Sequence, residues 1–301
     1  MSHLNPRVTV LLAAYNGMKW VDQQVKTILS QKGVNVSLVV SVDKSSDGTE
    51  EYFSRLAKDD RRVILLKTGL HFGGAGANFY RLIRDSNFLK SDYVAFSDQD
   101  DLWNLDKLET SIQTLLQTNS SAFSSNVNAF WEDGRTCLVH KAQPQRSLDY
   151  WFESAGPGCT FVLNRKLALD LQKFCTLNFS KVNSFKLHDW FTYAYARVND
   201  YKWHISPEVT MDYRQHDSNQ VGTNNNLKAY FKRFRQVRSH DYREQVLLLQ
   251  DILNSNSRSF FPNITKSGYL SSLKLLTNLH QLRRRSRDRY ALLFFIILGI
   301  F

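Results

Sequence analysis

Cysteine is scarce in this sequence, with only Cys137, Cys159 and Cys175 among 301 residues. The number is odd and the spacing fits no metal-ligand set, which argues against a disulfide framework. It suits three inert thiols in a reducing compartment. No apolar run is long enough to span a bilayer. The most apolar segment, Ala291 to Phe301, has eleven residues; as a helix it would reach about 16 Å, against a hydrocarbon core of about 30 Å. Near the start, Val8 to Ala14 is too short for a convincing signal peptide and reads better as a first strand. No glycine-rich phosphate loop follows that strand, which excludes a dinucleotide fingerprint. Repeats and low-complexity segments are absent. So is any nucleic-acid recognition module, and nucleic acid is not an expected partner.

What is present describes a globular protein with a real core: 43% hydrophobic and 22% charged residues. The net charge of +11 is uneven. Residues 1–220 carry 25 Lys/Arg against 24 Asp/Glu, whereas residues 221–301 carry 14 against 4. A basic tail of this kind suits an anionic surface. Here Arg283-Arg284-Arg285-Ser286-Arg287-Asp288-Arg289 leads directly into the apolar terminal segment. The pattern predicts a tail that dips into one leaflet while its arginines meet anionic head groups. A helix packed on the rest of the protein, or an oligomer contact, is the alternative. Upstream, Leu227, Tyr230, Phe231, Phe234 and Val237 share one helical face.

The first hundred residues alternate strand-like and helix-like patterns, giving βαβα order and a mostly parallel sheet covered on both faces. Strands are expected at Val8–Ala14, Val36–Val42, Val63–Leu66 and Tyr93–Phe96. Residues 121–163 look antiparallel, with a hairpin turn at Trp131–Arg135 and a strand at Cys159–Leu163. A helix is expected over Leu187–Arg197, a strand over Val209–Tyr213, and the longest helical pattern over Leu227–Leu253. Asn224–Asn226 marks a boundary, so residues 1–225 are read as one domain and 226–301 as a basic helical extension.

Ligands of such sheets bind beyond the carboxyl ends of the strands. Four polar loops leave the strands at that edge: Tyr15-Asn16-Gly17, Asp43 to Gly48, Leu70 to Asn78, and Asp98 to Trp103. The last is the most informative. Asp98, Asp100 and Asp101 would repel one another in a cleft unless a cation neutralised them. Hard oxygen ligands suit Mg²⁺ or Mn²⁺, whose usual client is a diphosphate. Asp43 has the chemistry to accept an N–H from a pyrimidine base, while Asp47 could equally cap the next helix. Asn78 is expected to reach the site from the start of its helix. Asp189, in Leu187-His188-Asp189-Trp190, could be a positioned general base or a helix cap. Arg214 and His216 end a strand with groups suited to a diphosphate or a cation; His216 could also be purely structural.

In this order, these motifs resemble family 2 glycosyltransferases of GT-A fold, and in particular the rhamnosyltransferase-like branch of bacterial surface-polysaccharide assembly. The resemblance rests on Ala13–Gly17, Asp43 with Ser45–Thr49, Ser97–Trp103, His188-Asp189-Trp190 and Tyr213–His216, and covers about residues 6–222. It implies an α/β fold with a mostly parallel nucleotide-binding sheet and a smaller antiparallel acceptor-side part. It also implies an inverting, metal-dependent transfer from a nucleotide-diphospho-sugar to a lipid-linked, polyprenyl-diphosphate acceptor in O-antigen or capsule assembly, at the cytoplasmic face of the membrane. Carried over, Tyr15 and Asn16 flank the donor base and Asp43 binds it. Asp98 and Asp100 form the metal motif, joined by His216; Asp101, Trp103, Asn78 and Arg214 contact the donor. Asp189 is the base, and His188 and Trp190 meet the acceptor. Either Trp103 or Trp190 could instead be core. The usual Asp-Asp-Gly-Ser reads Val42-Asp43-Lys44-Ser45 here, leaving one carboxylate for the base. The resemblance favours dTDP-rhamnose as donor, with a UDP-hexose second. A sugar nucleotidyltransferase shares the βαβ start but needs a phosphate loop that Tyr15-Asn16-Gly17 does not provide. A non-catalytic binding protein would need neither metal site nor base.

Overall fold

A computed structural model describes residues 5–216, 241–253, 269–299 and 301. Strand β1 (Arg7–Ala14) pairs in parallel with β2 (Asn35–Val42) on one side and β4 (Tyr93–Ser97) on the other; β3 (Val63–Leu65) extends the sheet beyond β2. The chain therefore reverses its winding between β1 and β4, and a switch point opens at their carboxyl ends. Beyond β4 the order continues β8 (Val162–Asn164), β6 (Ala122–Phe130), β9 (Trp203–Arg214) and β5 (Leu102–Trp103), with β7 (Thr136–Val139) paired to β6.

β8 runs antiparallel to both β4 and β6, and β6–β7 is the expected hairpin. Two expectations need correction. Cys159 lies in a 3₁₀ turn at Gly158–Thr160, so only Val162 to Asn164 form a strand. The expected strand Val209–Tyr213 belongs to the longer β9, which is parallel to β6 and continuous with the main sheet. That pairing joins residues about eighty apart, beyond the reach of local periodicity.

Alternation along the central strands assigns the helices. Val8, Val10, Leu12, Ala14, Leu38, Val40 and Val42 face α1 (Val21–Leu29), α2 (Thr49–Asp59) and α4 (Lys107–Thr118). Leu11, Ala13, Val39, Val94 and Phe96 face α3 (Ala75–Asp85), α5 (Arg165–Leu177) and α7 (His188–Val198), with the short α6 (Phe179–Val182) between the last two in sequence. Strands covered on both faces need the near-continuous apolar runs seen here.

The second core also takes in the C-terminal helices. Val246, Leu249 and Ile252 of helix Asp241–Leu253 are buried in it, as are Leu292 and Ile296 of helix Ser286–Ile297. The terminal segment therefore packs on the protein, and only part of its apolar surface faces outward. The amphipathic face at Leu227–Val237 and the boundary at Asn224–Asn226 lie outside the described residues.

Candidate active site

The four polar loops meet in a single cleft of about 1830 Å³. Tyr15 and Asn16 follow β1, Asp43 and Asp47 follow β2, Asn78 opens α3, and Asp98 and Asp100 follow β4; all line it. Asn16 has a positive φ of 43°, a conformation Asn tolerates better than most residues. Its Oδ1 accepts from Ser46 N at 2.8 Å, joining the β1 and β2 loops. Asn78 is buried and donates to Ser41 O at 3.0 Å, while its Oδ1 has no partner. Asp47 accepts from Thr49 N and Met18 N, as a loop brace does.

Asp43 is buried and already engaged. Its Oδ1 accepts from Lys44 N and Phe72 N at 2.9 Å, with His71 Nδ1 at 3.2 Å, and its Oδ2 accepts from Gly73 N at 3.0 Å. Three partners crowd Oδ1, while Oδ2, with one, keeps room for a further donor. His71, whose side chain is exposed, is the most readily moved of the four.

The aspartate cluster divides. Asp98 and Asp100 line the cleft, whereas Asp101 is fully buried. Asp100 Oδ2 lies 2.8 Å from His216 Nε2, and the His216 ring stacks on Trp20 at 4.0 Å. Burial, then repulsion from Asp100 and Asp189, pushes the Asp98 carboxyl up to about 7. Burial, then Asp100 and Asp98, also raises Asp101. Asp101 Oδ1 accepts from Arg214 N at 3.2 Å; its Oδ2 has no hydrogen bond. Asp98, Asp101 and Cys159 offer ligand atoms within 4.8 Å of one another. Burial keeps Cys159 a thiol, however, which suits it to donate to the carboxylates rather than to ligate a hard cation. Behind them Lys107 is fully buried, lowered to about 8 by burial, with its Nζ 4.2 Å from the Trp103 ring.

Three expected donor contacts thus lie elsewhere. Asp101 turns inward, out of the cleft wall. Trp103 is a core residue between α1, α4 and β9, absent from the cleft wall because β5 pairs there with β9. Arg214 braces the Asp98–Asp101 loop, donating to Asp100 O at 2.8 Å and to Gln23 at 2.9 Å.

Asp189 occupies the first turn of α7, where a helix favours negative charge. It lines the cleft and accepts from Trp190 N at 2.7 Å. Burial raises its carboxyl, opposed by hydrogen bonds from Trp190 N and Ser154 and by the charge of Lys141. His188 is buried, stacks on Phe79 at 3.8 Å and is held neutral, near 3, by burial; its Nε2 has no partner. Trp190 is largely core: its Nε1 donates to Tyr150 O at 2.8 Å and its ring stacks on Tyr242. Two glycines permit this packing. A Cβ at Gly76 would stand 2.1 Å from Lys186 O, and one at Gly158 2.7 Å from His188 Nε2.

Sequence reasoning missed Gln99, Ser154, Lys141 and Lys107. Gln99 pairs with the Tyr15 backbone, accepting from its N at 2.8 Å and donating to its O at 2.9 Å. Only its place inside the aspartate motif hinted at a role. Ser154 and Lys141 come from loops without any local signal.

A profile for "Glycosyl transferase family 2" matches residues 9–184, which span the strands and loops of the donor half. The chain belongs to glycosyl transferase family 2. This glycosyltransferase is 41% identical over 291 residues to the "dTDP-rhamnosyl transferase RfbG" of Shigella flexneri, covering 96% of the chain and 100% of that relative. It is 30% identical over 163 residues to the "UDP-Glc:alpha-D-GlcNAc-diphosphoundecaprenol beta-1,3-glucosyltransferase WfgD" of Escherichia coli, covering 53% of the chain and 61% of that relative. Its fold, of GT-A type, resembles that of S. aureus TarS residues 1–349 in complex with UDP, at TM-score 0.58 and 14% identity, over 84% of this chain and 67% of that one.

Proposed function

We propose that this glycosyltransferase moves a rhamnosyl residue from dTDP-rhamnose to a lipid-diphosphate-linked glycan, with inversion, during assembly of a surface polysaccharide such as an O-antigen or capsule. The carrying observation is that Asp98, Asp100 and Asp189 line one cleft, with Asp98 and Asp189 close enough to repel. The full-length relative with a rhamnosyltransferase name supports the donor.

The residues fit a divalent cation. Asp98 and Asp100 supply hard oxygens, His216 a nitrogen, and burial and mutual repulsion raise Asp98 and Asp101 despite Lys107 behind them, so a cation is favoured here. Bound by Asp98, Asp100 and His216, Mg²⁺ or Mn²⁺ would supply Lewis-acid neutralisation of the departing diphosphate. Tyr15, Asn16 and Asp43 hold the nucleotide, and Gln99 keeps the Tyr15 loop in register with the metal loop. Asp189 takes the proton of the acceptor hydroxyl as it attacks the anomeric carbon. His188 presents its neutral Nε2 to an acceptor hydroxyl, and Lys107 backs the acidic loop with a fixed charge.

The outward side of helix Ser286–Ile297 supports contact with the inner face of the cell membrane. Tyr290, Phe294, Ile297 and Leu298 recur there at helical spacing and are each more than half exposed. No described helix is long and apolar enough to cross a membrane. Arg283 and Arg284 form internal ion pairs with Glu153 and Asp149, and Arg285 and Arg287 line the cleft, so head-group contact falls to Arg289.

The test is transfer with purified protein, Mn²⁺ and a lipid-diphosphate glycan, comparing dTDP-rhamnose with UDP-glucose and UDP-galactose. Release of dTDP with an inverted glycoside, read by NMR, is the expected result. Turnover of a UDP-hexose alone would transfer the reading to the donor class that the name of the Escherichia coli relative specifies.

A further inference from the structure

The cleft has a second end that the donor chemistry leaves unused. Lys141, Arg283, Arg285 and Arg287 line it, in the same cleft as Asp189, with Glu153 and Asp288 the acidic residues among them. These charges are not equally engaged. Arg283 lies 3.7 Å from Glu153, and the exposed Arg287 lies 3.3 Å from Asp288. Lys141 and Arg285 form no ion pair among the described residues. Burial, then the positive charges of Arg284 and Arg285, pushes the Lys141 ammonium down to about 8. Cations that outnumber the carboxylates beside them in a cleft are destabilising, and a bound anion relieves the excess.

The helix that carries these arginines also limits the kind of anion. Asp288, Ala291, Leu292 and Phe295 line the cleft, while Tyr290, Phe294, Ile297 and Leu298 form an exposed apolar face alongside. A ligand matching both surfaces has an anionic head and a long hydrocarbon chain. The donor diphosphate is served at the acidic end by the Asp98–Asp100 loop, which needs a metal rather than an arginine.

We infer that Lys141, Arg285 and Arg287 form a subsite for the diphosphate of a prenyl-diphosphate-linked acceptor, holding the acceptor sugar next to Asp189. This inference rests on the lipid-linked acceptor proposed above, and adds the residues that recognise it.

The test reads binding rather than sugar transfer. Farnesyl diphosphate is titrated calorimetrically into the full chain in chelator, with farnesol and inorganic pyrophosphate as parallel probes. Wild-type protein should bind farnesyl diphosphate more tightly than either parallel probe. The paired substitution Arg285→Gln/Arg287→Gln should weaken it at least tenfold while farnesol binding and Mn²⁺-dependent dTDP binding stay at wild-type values. Lys141→Gln gives a second variant should the pair fail to fold. Equal farnesyl diphosphate binding by wild type and variant overturns the subsite. So does loss of dTDP affinity, which would assign the cations to the donor, and so does pyrophosphate binding as tight as that of the prenyl diphosphate, which would leave a plain anion site. A protein that binds farnesyl diphosphate as expected but transfers no rhamnose keeps this subsite and loses the donor reading instead.

Discussion

Arg284 reaches from the C-terminal segment into the core, where its Nη1 lies 3.4 Å from Asp149 Oδ2, both side chains almost wholly removed from solvent. The same guanidinium donates to Ser154 O at 2.6 Å, and its backbone N to Glu153 Oε1 at 2.6 Å. Ser154, whose Oγ donates to Gly156 O at 2.9 Å, lines the same cleft as Asp189. The tail thereby holds the loop beside the proposed base. Arg284→Met should cost about 1.5–3 kcal/mol, because the buried Asp149 loses one of its two arginine partners and keeps Arg197. Adding Asp149→Leu should not recover that loss, because Arg197 then loses its carboxylate. Denaturant unfolding of the single and double variants measures both effects, and a single variant as stable as wild type would remove the structural role. For the same reason deletion of residues 283–301 should impair folding, not merely membrane contact.

Asp189→Asn should keep donor affinity within a few-fold and lower turnover by about 10²–10⁴, the usual loss of a general base. A residue that only capped α7 would behave otherwise, since Asn caps about as well as Asp. Initial rates at saturating donor, with melting temperature as a control, separate the two. Near-normal turnover would place the base elsewhere.

Asp100→Asn should abolish the part of donor binding that depends on Mn²⁺ while leaving the fold intact. Calorimetry with dTDP in Mn²⁺ and in chelator supplies the comparison. Identical Mn²⁺ dependence in variant and wild type would exclude Asp100 as a ligand.

Asp98 gives a pH prediction. Its folded-state pKa of about 7 is above that of an ordinary Asp, about 3.9, so the native state holds a proton that the unfolded chain releases. Its contribution to stability is present below the unfolded value and is lost as pH rises through the folded one. In chelator, Asp98→Asn should therefore gain in melting temperature relative to wild type as pH rises from 5 to 8. Mn²⁺ should narrow that gap by stabilising the ionised wild-type cluster. A gap independent of pH would show that Asp98 titrates normally.

Gln99→Ala removes both bonds to the Tyr15 backbone. With each bond contributing about 0.5–1.5 kcal/mol, donor affinity should fall by about 5- to 150-fold, with kcat little changed because no reacting atom is touched. A fall in kcat at constant donor affinity would instead put Gln99 in the chemical step.

The donor half of the fold was legible from residue order. Both-face burial forces continuous apolar runs in β1, β2 and β4, and parallel topology brings their carboxyl ends to one edge. Tyr15, Asn16, Asp43, Asp98 and Asp100 could be assigned to that edge without coordinates. Trp103 and Asp101 could not be assigned correctly, because a motif specifies which residues share a turn but not which way each side chain faces. Pairing of β5 with β9 turned Trp103 into the core and left Asp101 beside Lys107.

The end of the cleft at Asp189 depended on tertiary structure throughout. Lys141, Ser154, Asp189 and Arg284 come from four separate segments, and their proximity follows from the parallel pairing of β6 with β9 and the packing of the tail against α7 and the 149–154 loop. The sequence determined that the tail was basic and apolar, since composition is a local property. Which arginines would be buried against Asp149 and Glu153, and which would face the cleft, was decided by long-range packing, because desolvating a guanidinium is tolerable only where the fold supplies its carboxylate.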